Sequence, residues 1–162
     1  MSKILVGYVT SVEPHPKNNE LNNKLDVVTI SDKINVANRL DDDQPRYKIG
    51  DYAAMIPENF ILPEWLLKKM GLWNDNKSKG VLSGKQGNRT KSRNIQGVLS
   101  EVALVKLQCD MYKEESLYIC DYCIDDDEYF TTKFISRFEI VFEGKDITDI
   151  FEVEQYIVNE GQ

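Results

Sequence analysis

Between Lys77 and Arg93 the sequence KSKGVLSGKQGNRTKSR places six cations, Lys77, Lys79, Lys85, Arg89, Lys91 and Arg93, with no acid among them. Gly80, Gly84 and Gly87 lie in the same stretch, which runs directly into the apolar segment NIQGVLSEVAL. A flexible basic loop beside a sheet, on a body whose formal net charge is -7, is a place for a phosphate backbone to land. The plainer reading is a solvated surface loop. Arg89, Lys91 and Arg93 stand two residues apart, so along a strand they would project from one side. Arg93 can also hold a phosphate through two parallel bonds, which lysine cannot. Lys77, Lys79 and Lys85 are looser helpers, because ordering a long loop costs entropy. Tyr8, Tyr52 and Trp73 are candidates for stacking on bases, with core packing as their other role. Gly97 suits a close approach of backbone more than a ligand.

Other chemistry is sparse. The single histidine, His15, sits between Pro14 and Pro16 in a turn. No G-x-S-x-G, Walker A, G-x-G-x-x-G or H-E-x-x-H occurs. Asp41–Asp43 and Asp125–Asp127 are runs along the chain, with no spacing that pairs carboxylates for acid–base work. Asp125–Glu128 lacks the spaced oxygen ligands and glycine of an EF-hand loop, so a solvated turn is expected. Cys120 and Cys123 form a C-x-x-C and Cys109 could add a third thiolate, but zinc wants four ligands and His15 is far away in sequence. The three cysteines therefore read as ordinary thiols, and neither a metal nor a cofactor is called for. With no nucleophile beside an activating base, the expectation is that the protein is not an enzyme.

The elements that must position the basic stretch are mostly strands. Lys3–Val12 reads as a first strand, and Glu13–Asn23 as a turn in which Leu21 is the one apolar anchor. Leu25–Ile30, Ile34–Ala37 and Tyr52–Ile56 follow as short strands, with a turn at Gly50. Pro63–Trp73 reads as a short helix opened by Pro63 and stopped by Gly71, with Trp65, Leu66 and Met70 on one face. Gly97–Leu107 closes the series as a last strand. Five short strands with a small helix before the last fit an OB-type barrel, and an SH3-like barrel would give much the same pattern. Beyond Leu107, strands are expected at Leu117–Cys120, Tyr129–Thr132 and Phe134–Phe142. Gly144–Val158 admits either a capped helix from Asp146 or a turn followed by a strand. The expected architecture is mainly β, a small OB-like barrel over 1–108 with a short inserted helix, and an acidic α/β extension over 109–162 packed on it.

Charge divides along the same line. Residues 1–108 carry 16 Lys/Arg against 12 Asp/Glu, and residues 109–162 carry 4 against 15. Two surfaces with different duties, or a self-screened soluble protein, would both look like this. The 41% apolar fraction is that of an ordinary soluble domain, and no apolar run approaches a membrane span. The N-terminus lacks the layout of a signal peptide, which leaves a cytoplasmic protein without membrane contact as the expectation.

Several segments together resemble a known family. Val9, Val12, His15 and Pro16 followed by Leu21 resemble the opening of two OB-type modules. One is the tRNA-binding domain of some aminoacyl-tRNA synthetases; the other is the N-terminal module of RNA ligases that carry it ahead of their nucleotidyltransferase domain. The segments YKIGDYAAMIPENFILPEW (Tyr47–Trp65), RTKSRNIQGVLSEVAL (Arg89–Leu104) and EGKDITDIFEVEQYIV (Glu143–Val158) are similar to the ligase module. The last contains the G-x-D-x-T passage that leads into that family's catalytic domain. Cys109–Phe138 stands outside the resemblance. The chain also departs from the family in holding no K-x-D-G, the setting of the lysine nucleophile.

The resemblance implies an accessory, non-catalytic module that binds structured, tRNA-like or nicked RNA, either free-standing or part of a larger ligase. Its basic positions fall on Arg89, Lys91 and Arg93. The alternative is a phage or viral protein-interaction or inhibitor module working through its acidic half. Asn-, Lys- and Ile-rich composition is compatible with such an AT-rich source.

Overall fold

The apolar opening of the chain forms β1 (Leu5–Pro14), which pairs antiparallel on two sides in succession. In the computed structural model, which describes residues 3–40, 42–107, 109–112, 116–119, 139–151 and 153–156, its first half pairs with β4 (Tyr52–Ile56). Its second half pairs with β2 (Leu25–Ile30), and the register slips between Val9 and Ser11. Such a bulge bends a strand and increases its twist, which curls the sheet. β3 (Lys33–Asn38) joins β2 through a tight turn at Ser31, and β10 (Ala103–Leu107) joins β4. The order β10-β4-β1-β2-β3 makes a curled half-barrel, and the protein is a mainly β, small-barrel fold.

The two outer strands meet through single bonds. Glu101 N–H donates to the Ile34 carbonyl at 2.8 Å, Ile34 N–H to Glu101 Oε2 at 3.0 Å, and Asn35 Nδ2 to the Val102 carbonyl at 2.7 Å. Side chains thus replace the missing ladder, and buried Asn35 spends its amide on that seam.

Alternation along the strands serves two cores. Val9, Val28, Ile30, Ala53, Met55 and Leu104 fill the inside of the curl. Val6, Ala54, Ile56, Val105 and Leu107 face the other way, under Trp65, Leu66 and Leu67 of α2 (Glu64–Lys69). That is why Tyr52–Ile56 reads as an almost continuous apolar run. A side chain at Gly7 would collide with Ile30 and Met55, so glycine there makes room for both. As expected, Gly71 ends the helix region with φ at +76°, although Pro63 takes the capping position just before it.

Several local expectations change. Leu21 does not anchor the first turn: it sits in a short helix, α1 (Asn18–Leu21), and is 51% exposed. His15 anchors it instead, 2% exposed, accepting from Lys17 N–H at Nδ1 and donating from Nε2 to the Ile95 carbonyl, both at 3.0 Å. Because Nδ1 accepts, the proton lies on Nε2. Gly97–Leu107 is also not one strand. It is the second half of a hairpin, β8 (Arg93–Ile95) with β9 (Val98–Ser100), followed by β10. Gln96 and Gly97, with φ of +54° and +95°, form the two-residue turn, so Gly97 serves a turn and has open space around its Cα.

Past β10, β11 (Cys109–Tyr112), β12 (Ser116–Ile119) and β13 (Glu139–Val141) form a separate antiparallel sheet. The expected strand at Tyr129–Thr132, with Cys120, Cys123 and Asp125–Glu128, lies outside the described residues. Gly144–Gln155 is a turn, a 3-10 turn at Thr148–Ile150 and a short strand, β14 (Glu154–Gln155). The turn pairs with the start of β1, through Val6 N–H to the Lys145 carbonyl at 2.9 Å and Ile147 N–H to the Ile4 carbonyl at 2.8 Å. Asp146 accepts from the hydroxyl and amide of Thr148, which holds its carboxyl below the usual range. Ile147 and Phe151 are buried in the same core as Ile4 and Val6. Among the described residues no helix is long and apolar enough to cross a membrane.

Ile147, fully buried, therefore acts as a core residue supplied from far along the chain. Ile147→Ala should destabilise the protein by about 2–5 kcal/mol in urea unfolding. A loss under about 0.5 kcal/mol, the range of surface substitutions, would show that the turn only rests on the barrel.

Candidate nucleic-acid interface

The basic loop between β4 and β10 is fastened to one short strand, β5 (Phe60–Ile61). Asn59 N–H donates to the Thr90 carbonyl at 2.8 Å, Thr90 N–H to the Phe60 carbonyl at 2.9 Å, and Leu62 N–H to the Asn88 carbonyl at 2.9 Å. Thr90, 2% exposed, locks this junction: its hydroxyl donates to the Pro57 carbonyl at 2.7 Å and accepts from Phe60 N–H at 2.9 Å. On the other edge of β5 runs β14.

The basic loop is tied rather than slack. Gly80 N–H donates to the Gln86 carbonyl and Leu82 N–H to the Gly87 carbonyl, both at 2.9 Å. Gly80 and Gly87 lie so close that a Cβ on either would overlap the other's carbonyl, and Gly87 also has φ at +64°. Two of the three glycines therefore provide close packing where flexibility was expected.

The predicted cations divide. Lys91 and Arg93 line a groove of about 170 Å3 between β3 and the start of β10, and Arg46 joins them there. Arg89 does not. Its guanidinium lies 4.5 Å over the Tyr156 ring, its Nε is buried without a hydrogen-bond acceptor, and its backbone bridges Ile61 and Ser83. The expected one-sided row fails because pairing with β5 ends at Thr90. Residues 91 and 92 belong to no strand, and the chain turns there into β8. Lys77, Lys79 and Lys85 stand on the loop away from this groove, Lys77 and Lys85 exposed. Among the described residues none of these cations makes an ion pair, whereas Lys3, Arg39, Lys68 and Lys106 all do.

The groove also holds Glu58 and Glu101, but each has a backbone partner: Ser92 N–H at 3.3 Å and Ile34 N–H at 3.0 Å. Arg46 spends Nε on the Asn38 carbonyl at 3.1 Å, leaving its terminal nitrogens to face a ligand. Buried Tyr47 lies beside it, and burial pushes its phenol up to about 12, so it stays a neutral hydroxyl near neutral pH. The arrangement can bind an anionic chain through two guanidinium groups and an ammonium; it presents no nucleophile beside a base. Among the described residues no cluster of His, Cys, Asp and Glu could hold a metal.

Sequence reasoning missed Arg46, hidden behind the acids Asp41–Asp43. Its signal was position: it immediately precedes the Tyr47–Asp51 segment. The stacking candidates do not reach the groove. Tyr8 and Tyr52 meet edge to face with centroids 5.2 Å apart, and Trp73 lies under Lys68.

No protein-family model matches the chain, and no curated protein matches it. Solved structures of a Naegleria gruberi RNA ligase do. A mutant with AMP and manganese superposes with a TM-score of 0.56 at 12% identity, over 94% of this chain and 34% of the ligase. A mutant with ATP and manganese gives 0.54 at 12% identity, over 98% and 36%, and a mutant without ligand gives 0.52 at 11%, over 95% and 35%. The chain spans about a third of the length of these ligases. The likeness establishes an RNA-ligase-related fold and does not single out an N-terminal OB module. It also overturns the expectation of a non-enzyme as a reading of missing motifs: the fold is shared with RNA ligases, two of whose structures hold a nucleotide. A missing K-x-D-G says little when the matched region is a third of the enzyme.

The Gly80–Gly87 contact has a measurable signature. Gly87→Ala should cost more than about 1 kcal/mol, and more than Gly84→Ala, whose φ is +86° but whose Cβ would meet only ordinary contacts. Equal losses in denaturant unfolding would mean that backbone overlap plays no part.

Proposed function

We propose that the chain is an OB-type, RNA-engaging part of an RNA-ligase-type enzyme, and that the groove between β3 and β10 holds the phosphate backbone of a structured or nicked RNA. The observation that carries this reading is the convergence of Arg46, Lys91 and Arg93, from separate segments, on one groove without ion-pair partners among the described residues. Three cations against the two carboxylates of Glu58 and Glu101 leave the groove net positive on a protein of net charge -7, which raises the local concentration of a polyanion against the overall field. The fold shared with RNA ligases supports RNA as that polyanion.

Arg46 and Arg93 serve as the directional contacts, because a guanidinium matches two phosphate oxygens at once. Lys91 serves as a point charge between them. Arg89 holds the C-terminal segment against β5 through Tyr156, and Lys77, Lys79 and Lys85 add weaker contacts from the loop.

Anisotropy of labelled nicked duplex and single-stranded RNA tests this directly. Each of Arg46→Ala, Lys91→Ala and Arg93→Ala should weaken binding and reduce the salt slope by about 0.7 for a single strand. Arg89→Ala should lower thermal stability more than it lowers affinity. Undiminished binding by the Arg46/Lys91/Arg93 triple variant would sink the proposal.

A further inference from the structure

On the other flank of the basic loop lies a second, open pocket of about 380 Å3, bordered by α2 and lined by residues that the groove does not use. We propose that it is a subsite for one unpaired nucleobase, which rests on the RNA reading above and names the part of the RNA it would take.

Its volume lies within the range of small-molecule sites. Pro63 and Leu67 supply apolar surface, and Trp73, half-buried, supplies an aromatic one. The amides of Gln86 and Asn88 line the same space, and neither side chain has a hydrogen-bond partner among the described residues. An amide offers both donor and acceptor, as the edge of a base requires, and an unpaired base stacks on an aromatic ring while pairing along that edge. Of the two acids at the pocket, Glu64 is paired with Lys68 at 2.8 Å, and Glu154 offers an acceptor for an exocyclic amino group. Lys77, Lys79 and Lys85 adjoin Ser78 and Gln86 in sequence, which places cations where the flanking phosphates of a bound nucleotide would run.

This pocket and the phosphate groove share one loop: Leu82, Thr90 and Lys91 line the groove, and Ser78, Gln86 and Asn88 the pocket. A strand end or a base flipped out at a nick would be read here, while its backbone is held across the loop.

The test compares a labelled octaribonucleotide with an abasic ribose-phosphate oligomer of the same length, by anisotropy at low salt. The base-bearing oligomer should bind about tenfold tighter, the usual worth of a stacked base. The double variant Gln86→Ala, Asn88→Ala should abolish that difference while leaving abasic affinity and the melting temperature unchanged. Trp73→Leu should do the same, and the amide variant stands independently if this one folds poorly. Equal binding of the two oligomers by the native chain, or a difference that survives both variants, would overturn the subsite and leave the phosphate groove intact. Failure of both oligomers to bind would remove the RNA reading and the subsite with it.

Discussion

One strand has to satisfy backbone partners on both edges along its length, and most of the molecule follows from how it does so. β1 gives one edge to β4 over Leu5–Tyr8 and the other to β2 over Val9–Pro14, changing over at the slip between Val9 and Ser11. The edge left open over its first residues is taken by Lys145 and Ile147. Buried amides left unpaired are costly, so the chain beyond residue 140 is drawn into the barrel to complete this strand. The same change of partner curls the sheet until β3 and Glu101–Val102 are close enough to bond.

That closure by single bonds makes the groove possible. A full ladder between β3 and β10 would fill the seam with backbone. Here Asn35, Ser100 and Glu101 reach across with side chains, and a recess remains under Arg46, Lys91 and Arg93. The nearest acids, Glu58 and Glu101, are oriented by backbone amides and form no ion pair with these cations among the described residues. The groove is thus a by-product of how the barrel is shut.

Short β-branched and apolar strands were the most legible part of the sequence. Leu25–Ile30 and Tyr52–Ile56 appear with the expected bounds: the first buries alternate residues, which fixes its register, and the second is an almost continuous buried run. Lys91 and Arg93 were legible as cations near a sheet. The fate of Arg89 was not, because it depends on where pairing with β5 stops and on a tyrosine at position 156. Leu21 misled for a similar reason: hydrophobicity pointed to it, whereas the turn is fastened by hydrogen bonds from His15. The absence of catalytic motifs misled most, because a motif search sees only the stretch in hand, and related folds occur as parts of larger enzymes.

The back-to-back glycines of the basic loop bear on timing. A loop held by Gly80, Gly87 and Thr90 before any ligand arrives has already met the entropic cost of its shape. On the proposed reading, encounter then needs only diffusion toward exposed charge, and the lifetime of the complex is left to local contacts. Sequence change within such a loop is filtered into dissociation rates, while changes in charge far from it act on how often the two molecules meet.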